Sequence, residues 1–322
     1  MSSNSEQMKS VVRYMRSSLA RAMRGVEVRG REIAADPDCG RRSACWLHEA
    51  KGAGSKPVVF EIHGGGFALG DARKEDALCE WVRDSFDVHV LGLDYRLAPE
   101  NPAPAALDDV LASIAYIASG AECDVDVSKL VVLGYSAGAS LALAAAFASQ
   151  TRDGIPAFAG LALHYPFLDA FTPPDALGVR DIDLPVDLME AFNGWYVNGG
   201  DACDASISPV FASDEQLALL PDVAMFPVLG DELFGQAERL RERMEAAGVD
   251  VLWRPVCGQY HGYIEDAANI PVYEAITMPE TIAARPANYV EAAEQSMRKS
   301  LEALIGPASR MIPFDGGRGF AP

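Results

Sequence analysis
Leu130-Val131-Val132-Leu133-Gly134-Tyr135-Ser136-Ala137-Gly138-Ala139-Ser140-Leu141-Ala142 runs from an unbroken apolar stretch through two glycines into an alanine-rich one, and this passage decides the fold. The apolar stretch suits a strand buried on both faces. From Ala137 onward alanine and leucine predominate, which favours a helix over residues 137 to 149. The glycines two residues either side of Ser136 permit a tight, strained turn in which larger neighbours would collide. The serine hydroxyl then stands clear of the sheet, in the strand-turn-helix setting of a nucleophilic serine.

On either side of this passage, short apolar runs recur at Val58–Ile62, Val88–Leu93 and Leu161–Leu163, with helical patterns near residues 73–86 and 105–118. A further strand, helix and strand are expected at about 223–229, 235–247 and 249–254, with Gly248 placed to stop the helix. Repeated alternation of this kind predicts an α/β fold with a mostly parallel central sheet flanked by helices. Residues 170–210, rich in Pro, Asp and Gly around one helical patch, read as an insertion over the sheet; a last helix is expected near 288–305. The 322 residues therefore read as one domain, with an extension from about 267 to 322.

The formal net charge of −19 argues against nucleic acid as a partner, because a phosphate backbone would be repelled. The charge is uneven: residues 1–42 hold nine basic and five acidic side chains, net +4, leaving −23 on the rest. Within that basic stretch Met8, Val11, Val12, Met15, Leu19, Ala22 and Met23 recur at helical spacing, which predicts a helix packed on the body of the protein. No run is long and apolar enough for a membrane span, and no secretory signal core is present. Six cysteines (39, 45, 79, 123, 203 and 257) lack metal-ligand spacing and read as reduced thiols of a cytoplasmic protein.

His63-Gly64-Gly65-Gly66-Phe67 directly follows the run ending at Ile62. Consecutive glycines let backbone N–H groups point into a cavity without Cβ obstruction, as stabilisation of a developing oxyanion requires. A phosphate-cradling loop fits less well, since no Gly-Lys-Ser/Thr follows. His63 reads as a hydrogen bonder that holds this loop.

These two motifs, with Asp94-Tyr95-Arg96-Leu97-Ala98-Pro99-Glu100 between them, resemble the hormone-sensitive-lipase-like family of bacterial carboxylesterases, α/β-hydrolases with a helical cap. The resemblance covers about residues 45–265 and implies a cap from about 1–45 and 170–210. It implies an Arg96–Glu100 ion pair bracing the glycine loop, and Tyr135 departs from the Asp common in the family. In α/β-hydrolases the acid and then the histidine follow the serine in the chain. Of five histidines, elimination leaves His261, in Gln259-Tyr260-His261-Gly262-Tyr263. The acid expected is Asp231 in Asp231-Glu232-Leu233, with Glu232 as alternative because Pro227 interrupts the preceding strand. Asp169 reads as a turn cap.

The resemblance implies a serine carboxylesterase acting on a small-molecule ester with short to medium acyl chains, without metal or cofactor. Catalysis would fall to Ser136, His261 and Asp231, and the oxyanion to the N–H groups of Gly65, Gly66 and Ala137. Phe67, Tyr135, Trp195, Tyr196 and Phe234 are the candidate substrate contacts. An amidase or formamidase on the same scaffold, or a non-catalytic ligand-binding relative, are the alternative readings, and a homodimer is left open.

Overall fold
The computed structural model describes residues 3–34, 44–174, 176, 185–277 and 279–316. Eight strands, β1 (Arg31–Ala34), β2 (Ala44–His48), β3 (Lys56–Ile62), β4 (His89–Asp94), β5 (Val125–Tyr135), β6 (Gly160–His164), β7 (Asp222–Phe226) and β8 (Val251–Trp253), form one sheet. Its spatial order is β1-β2-β4-β3-β5-β6-β7-β8. From β4 to β8 every pairing is parallel, while β2 lies antiparallel to both β1 and β4. The two antiparallel strands at that edge carry no long apolar run, so the sequence pattern does not signal them.

The α-helices are α1 (Ser3–Ala22), α2 (Asp76–Phe86), α3 (Ala105–Ala118), α4 (Ala137–Ser149), α5 (Val186–Val197), α6 (Asp214–Leu217), α7 (Phe234–Ala246), α8 (Tyr263–Ala268), α9 (Ile270–Ile276), α10 (Pro279–Ala284) and α11 (Tyr289–Ile305). The strand pleat sorts the core into two layers. Val58, Phe60, Ile62, Leu130 and Val132 pack with Val110, Ile114, Leu141 and Leu240 of α3, α4 and α7. Val59, Val90, Val131, Leu133 and Tyr135 face the other way, onto Leu78, Val82, Ile264, Met297 and Leu301 of α2, α8 and α11. Helix α4 is apolar all round and buried along Ala137–Phe147, as a helix against the centre of a covered sheet must be.

Two expectations change here. The segment beyond 267, read as an extension, supplies α11, whose Ala293, Met297 and Leu301 are fully buried against the sheet. It is part of the core because strands β5 to β7 would otherwise expose one face. The expected strand over 223–229 breaks at Pro227: β7 stops at Phe226, and pairing resumes in a single bridge between Val228 and Val256. Pro227 still accepts from Val256 N–H at 2.8 Å, so only its missing donor is excluded from the ladder.

Outside the sheet, α1 and α5 lie together over the glycine loop, where Val12, Ala68, Ala98, Phe192 and Trp195 form a small apolar cluster. The parts of the expected cap at 35–43, 175 and 177–184 lie outside the described residues.

Candidate active site
Strand β5 ends at Tyr135 and α4 begins at Ala137, so Ser136 alone makes the turn, at φ +49° and ψ −115°. That conformation costs on the order of 1–3 kcal/mol and survives only where the surroundings impose it. They do so by close packing. A Cβ on Gly134 would sit 2.4 Å from the Gly138 carbonyl oxygen, and one on Gly138 would sit 2.1 Å from that of Ile62. Neither neighbour is a movable side chain, so only glycine fits either position.

His261 lies in the loop before α8, with Nε2 2.9 Å from Ser136 Oγ and Nδ1 2.8 Å from Asp231 Oδ2. Asp231 is held in turn by the Leu233 N–H, which donates to its other oxygen at 2.9 Å. Glu232 is buried but makes no hydrogen bond to the imidazole, so of the two carboxylates only Asp231 completes the chain from the serine. The edge of the Tyr165 ring supports His261 at a centroid distance of 5.0 Å. Burial by itself pulls the imidazole's pKa down, but the charge and hydrogen bond of Asp231, with Glu265 and Glu232 farther off, hold it above the ordinary 6.5. As the candidate base, His261 must be neutral to accept a proton. The acid limb of kcat/KM should therefore have its midpoint above pH 6.5, which a pH–rate profile on a neutral substrate checks.

The glycine loop arches beside the serine, with Gly65 at φ +100° and Gly66 at φ +60°. A Cβ on Gly65 would meet the Leu69 carbonyl oxygen at 2.4 Å, and one on Gly66 the Phe192 ring at 2.1 Å. Ala137 contributes the first N–H of α4, one of the helix-start donors that have no partner within the helix. Behind the loop, His63 stacks on Tyr95 at 4.3 Å and its Nδ1 lies 2.8 Å from the Gly64 carbonyl oxygen. Burial pulls the His63 pKa down to about 4, which keeps the ring neutral at neutral pH and suited to holding the loop.

The expected Arg96–Glu100 pair does not form. Arg96 donates from Nε and a terminal nitrogen to Asp109 of α3, at 2.8 Å each. Glu100 pairs with Arg16 of α1 at 2.9 Å. Arg16 Nε also donates to the Ala68 carbonyl oxygen at 2.8 Å, so the basic N-terminal helix braces this loop. Sequence spacing missed it because the partners are 52 and 84 residues apart.

Ser136 and His261 open into a cavity of about 270 Å³. Phe167, Leu188, Met189, Phe192 and Leu233 make it apolar, while Lys74, Glu265 and Asp266 give it one charged wall. Of the five candidate contacts, Phe67 lines the cavity. Tyr196 instead stacks flat on Phe67, 3.7 Å between centroids, and Trp195 packs against Phe192 and the α1 cluster. Tyr135 points through the opposite face of the sheet to Met297 Sδ at 3.5 Å, because neighbouring residues of a strand alternate sides. Phe234 faces Trp253 on the far side of α7. The lining residues Leu188, Met189 and Phe192 sit one to two helical turns before Trp195 and Tyr196 on α5, a position along the helix that aromatic content alone does not reveal. Asp169 caps a turn through the N–H groups of Phe171 and Thr172 and pairs with Arg239 at 2.6 Å. Among the described residues no group of His, Cys, Asp and Glu is arranged to hold a metal.

The chain resembles known proteins over most of its length. A family model described as the α/β hydrolase fold matches residues 59–265. Esterase LipI of Mycobacterium tuberculosis is 33% identical over 71% of this chain and 72% of its own. Carboxylesterase NlhH of the same organism is 32% identical over 67% of this chain and 69% of its own. The hyperthermophilic esterase from Pyrobaculum calidifontis superposes with a TM-score of 0.73 at 25% identity, covering 92% of this chain and 94% of that one. With eight strands in this order, a serine at the turn after the central strand and these relatives, the chain belongs to the α/β-hydrolase family, in its hormone-sensitive-lipase-like branch.

Proposed function
We propose that the protein is a serine carboxylesterase hydrolysing esters of short to medium acyl chains. The observation that carries this reading is the hydrogen-bonded chain from Ser136 through His261 to Asp231, opening on a largely apolar cavity beside the glycine loop. Relatives named as esterases and carboxylesterases support it.

Ser136 Oγ attacks the ester carbonyl as His261 Nε2 takes its proton, while Asp231 keeps the imidazole in the productive tautomer and stabilises its charged form. The N–H groups of Gly65, Gly66 and Ala137 receive the oxyanion, each donor contributing about 3 kcal/mol to barrier lowering. His261 then gives its proton to the leaving alcohol. A water, deprotonated by the same nitrogen, attacks the acyl-serine and frees the acid. The apolar wall accepts the chain of the substrate. At about 270 Å³ the cavity lies at the lower edge of the usual range for small-molecule sites, which supports a small ester. In this reading α1 and α5 act as the cap, since they contribute Met15, Leu188, Met189 and Phe192 to the cavity.

Among the described residues no helix is long and apolar enough to cross a membrane. The five described cysteines are free thiols, three of them buried, which supports the cytoplasmic reading. The function is tested with p-nitrophenyl acetate and butyrate against the matching p-nitroanilides. Rapid turnover of the esters and at least a hundredfold slower cleavage of the anilides is expected; faster anilide cleavage would reassign the enzyme as an amidase.

A further inference from the structure
One carboxylate at the site has no place in the chemistry above. Glu265, four residues after His261 on α8, accepts the Gly64 N–H on Oε1 at 2.9 Å, across 201 residues of sequence. Gly64 opens the three-glycine loop, and the fit is close: a Cβ there would lie 2.8 Å from Glu265 Oε1 and 3.1 Å from the Tyr135 carbonyl oxygen. The other oxygen of Glu265 lies 3.5 Å from the Tyr165 hydroxyl, and Tyr165 is the residue whose ring edge supports His261. One side chain thus touches the oxyanion loop directly and the base through an aromatic neighbour.

We propose that Glu265 is a positioning residue that ties the loop carrying His261 to the oxyanion loop, so that base and donors keep one mutual geometry. The proposal rests on the esterase reading for its substrate. By engaging Gly64, the carboxylate orients the peptide planes that follow, and the Gly65 and Gly66 N–H groups are the donors the oxyanion needs. A misplacement of about 1 Å in such a constellation can cost about a hundredfold in rate.

The surroundings make Glu265 an unusual anchor. Lys74 lies on the same wall, with its ammonium 3.7 Å from Asp266. Glu61 and Glu75 are buried on the neighbouring strand and turn, and burial raises both well above the ordinary carboxylate range, which favours their neutral forms. Asp266 also faces Arg285, whose guanidinium covers Tyr260 at 3.7 Å. Burial pushes Glu265 up, against the pull of Lys74, the Gly64 N–H and His261. When ionised, it favours the imidazolium form of His261 together with Asp231 and Glu232. Removing its charge should therefore lower the His261 pKa.

Two variants test this. Gln can still accept the Gly64 N–H, whereas Ala cannot. Glu265→Ala is expected to lose 30- to 100-fold in kcat with KM within about threefold, and to slow phosphonate labelling of Ser136 by a similar factor. Glu265→Gln is expected to keep most of kcat at the alkaline plateau and to move the acid limb to lower pH. A folded Glu265→Ala with unchanged kcat and labelling rate would overturn the proposal, as would a Glu265→Gln as impaired as Ala with its acid limb unmoved. If Glu265→Ala fails to fold, Glu265→Gln decides by rate: kcat and phosphonate labelling within about threefold of wild type support the proposal, because the amide oxygen still accepts the Gly64 N–H, and a folded Glu265→Gln that loses about 30-fold or more in both overturns it. Labelling keeps this test separate from the ester reading. A wild type labelled at Ser136 but inert to esters would sink the substrate assignment and leave Glu265 to be judged on labelling rates.

Discussion

Ser136→Ala should lower kcat/KM for p-nitrophenyl butyrate by about a millionfold, to a residue that hydroxide and the oxyanion donors alone sustain. The size follows from the loss of the covalent route: without Oγ no acyl-enzyme forms, and His261 can at best assist a water held in no fixed place. The fold should survive. Ser136 makes its structural bonds through the backbone, its N–H donating to the His164 carbonyl oxygen at 3.1 Å and its carbonyl accepting from Phe167 N–H at 3.2 Å. Alanine keeps both. The strained backbone remains in place because Gly134 and Gly138 impose it. Circular dichroism and thermal unfolding close to wild type, beside the rate loss, would separate lost chemistry from lost structure.

Asp231→Asn should cost about 10⁴-fold in kcat, the second-largest effect expected of a single substitution here. The amide retains the shape and can still accept from Leu233 N–H, but if its NH₂ faces His261 Nδ1 it forces the tautomer that presents a proton to Ser136. It also removes the charge that holds the imidazole pKa up, so the acid limb should move to lower pH as the plateau falls. Glu232→Gln should leave kcat near wild type, because Glu232 makes no hydrogen bond to the ring. Comparing the two plateaus and limbs separates the carboxylates. Loss in Glu232→Gln with retention in Asp231→Asn would exchange their roles.

What was legible in the sequence followed from local rules. The helices over 105–118 and 137–149 have the expected bounds, because each is one uninterrupted apolar pattern beside a clear turn. The order of strand, glycine turn and helix carried the fold class, and the family match and relatives bear it out. The antiparallel edge strands were not legible, since short strands with polar and apolar residues mixed look like loops. Distant pairings were equally hidden. Arg16 with Ala68 and Glu265 with Gly64 depend on how elements hundreds of atoms apart are brought together, and the Arg96–Glu100 pairing expected from family likeness gave way to partners better placed on α3 and α1. The cavity wall lies one to two helical turns earlier on α5 than its aromatic content suggests: Phe192 faces the glycine loop while Trp195 and Tyr196 pack beside and behind it.

Ser136 is proposed as the one nucleophilic serine of this chain. Incubating the full-length protein with a fluorophosphonate and mapping the adduct by peptide mass spectrometry tests it most directly. A single stoichiometric adduct on Ser136, abolished in Ser136→Ala and strongly slowed in His261→Ala, is the predicted result. An adduct on another residue, or a wild-type protein that stays unmodified at neutral pH, would contradict it.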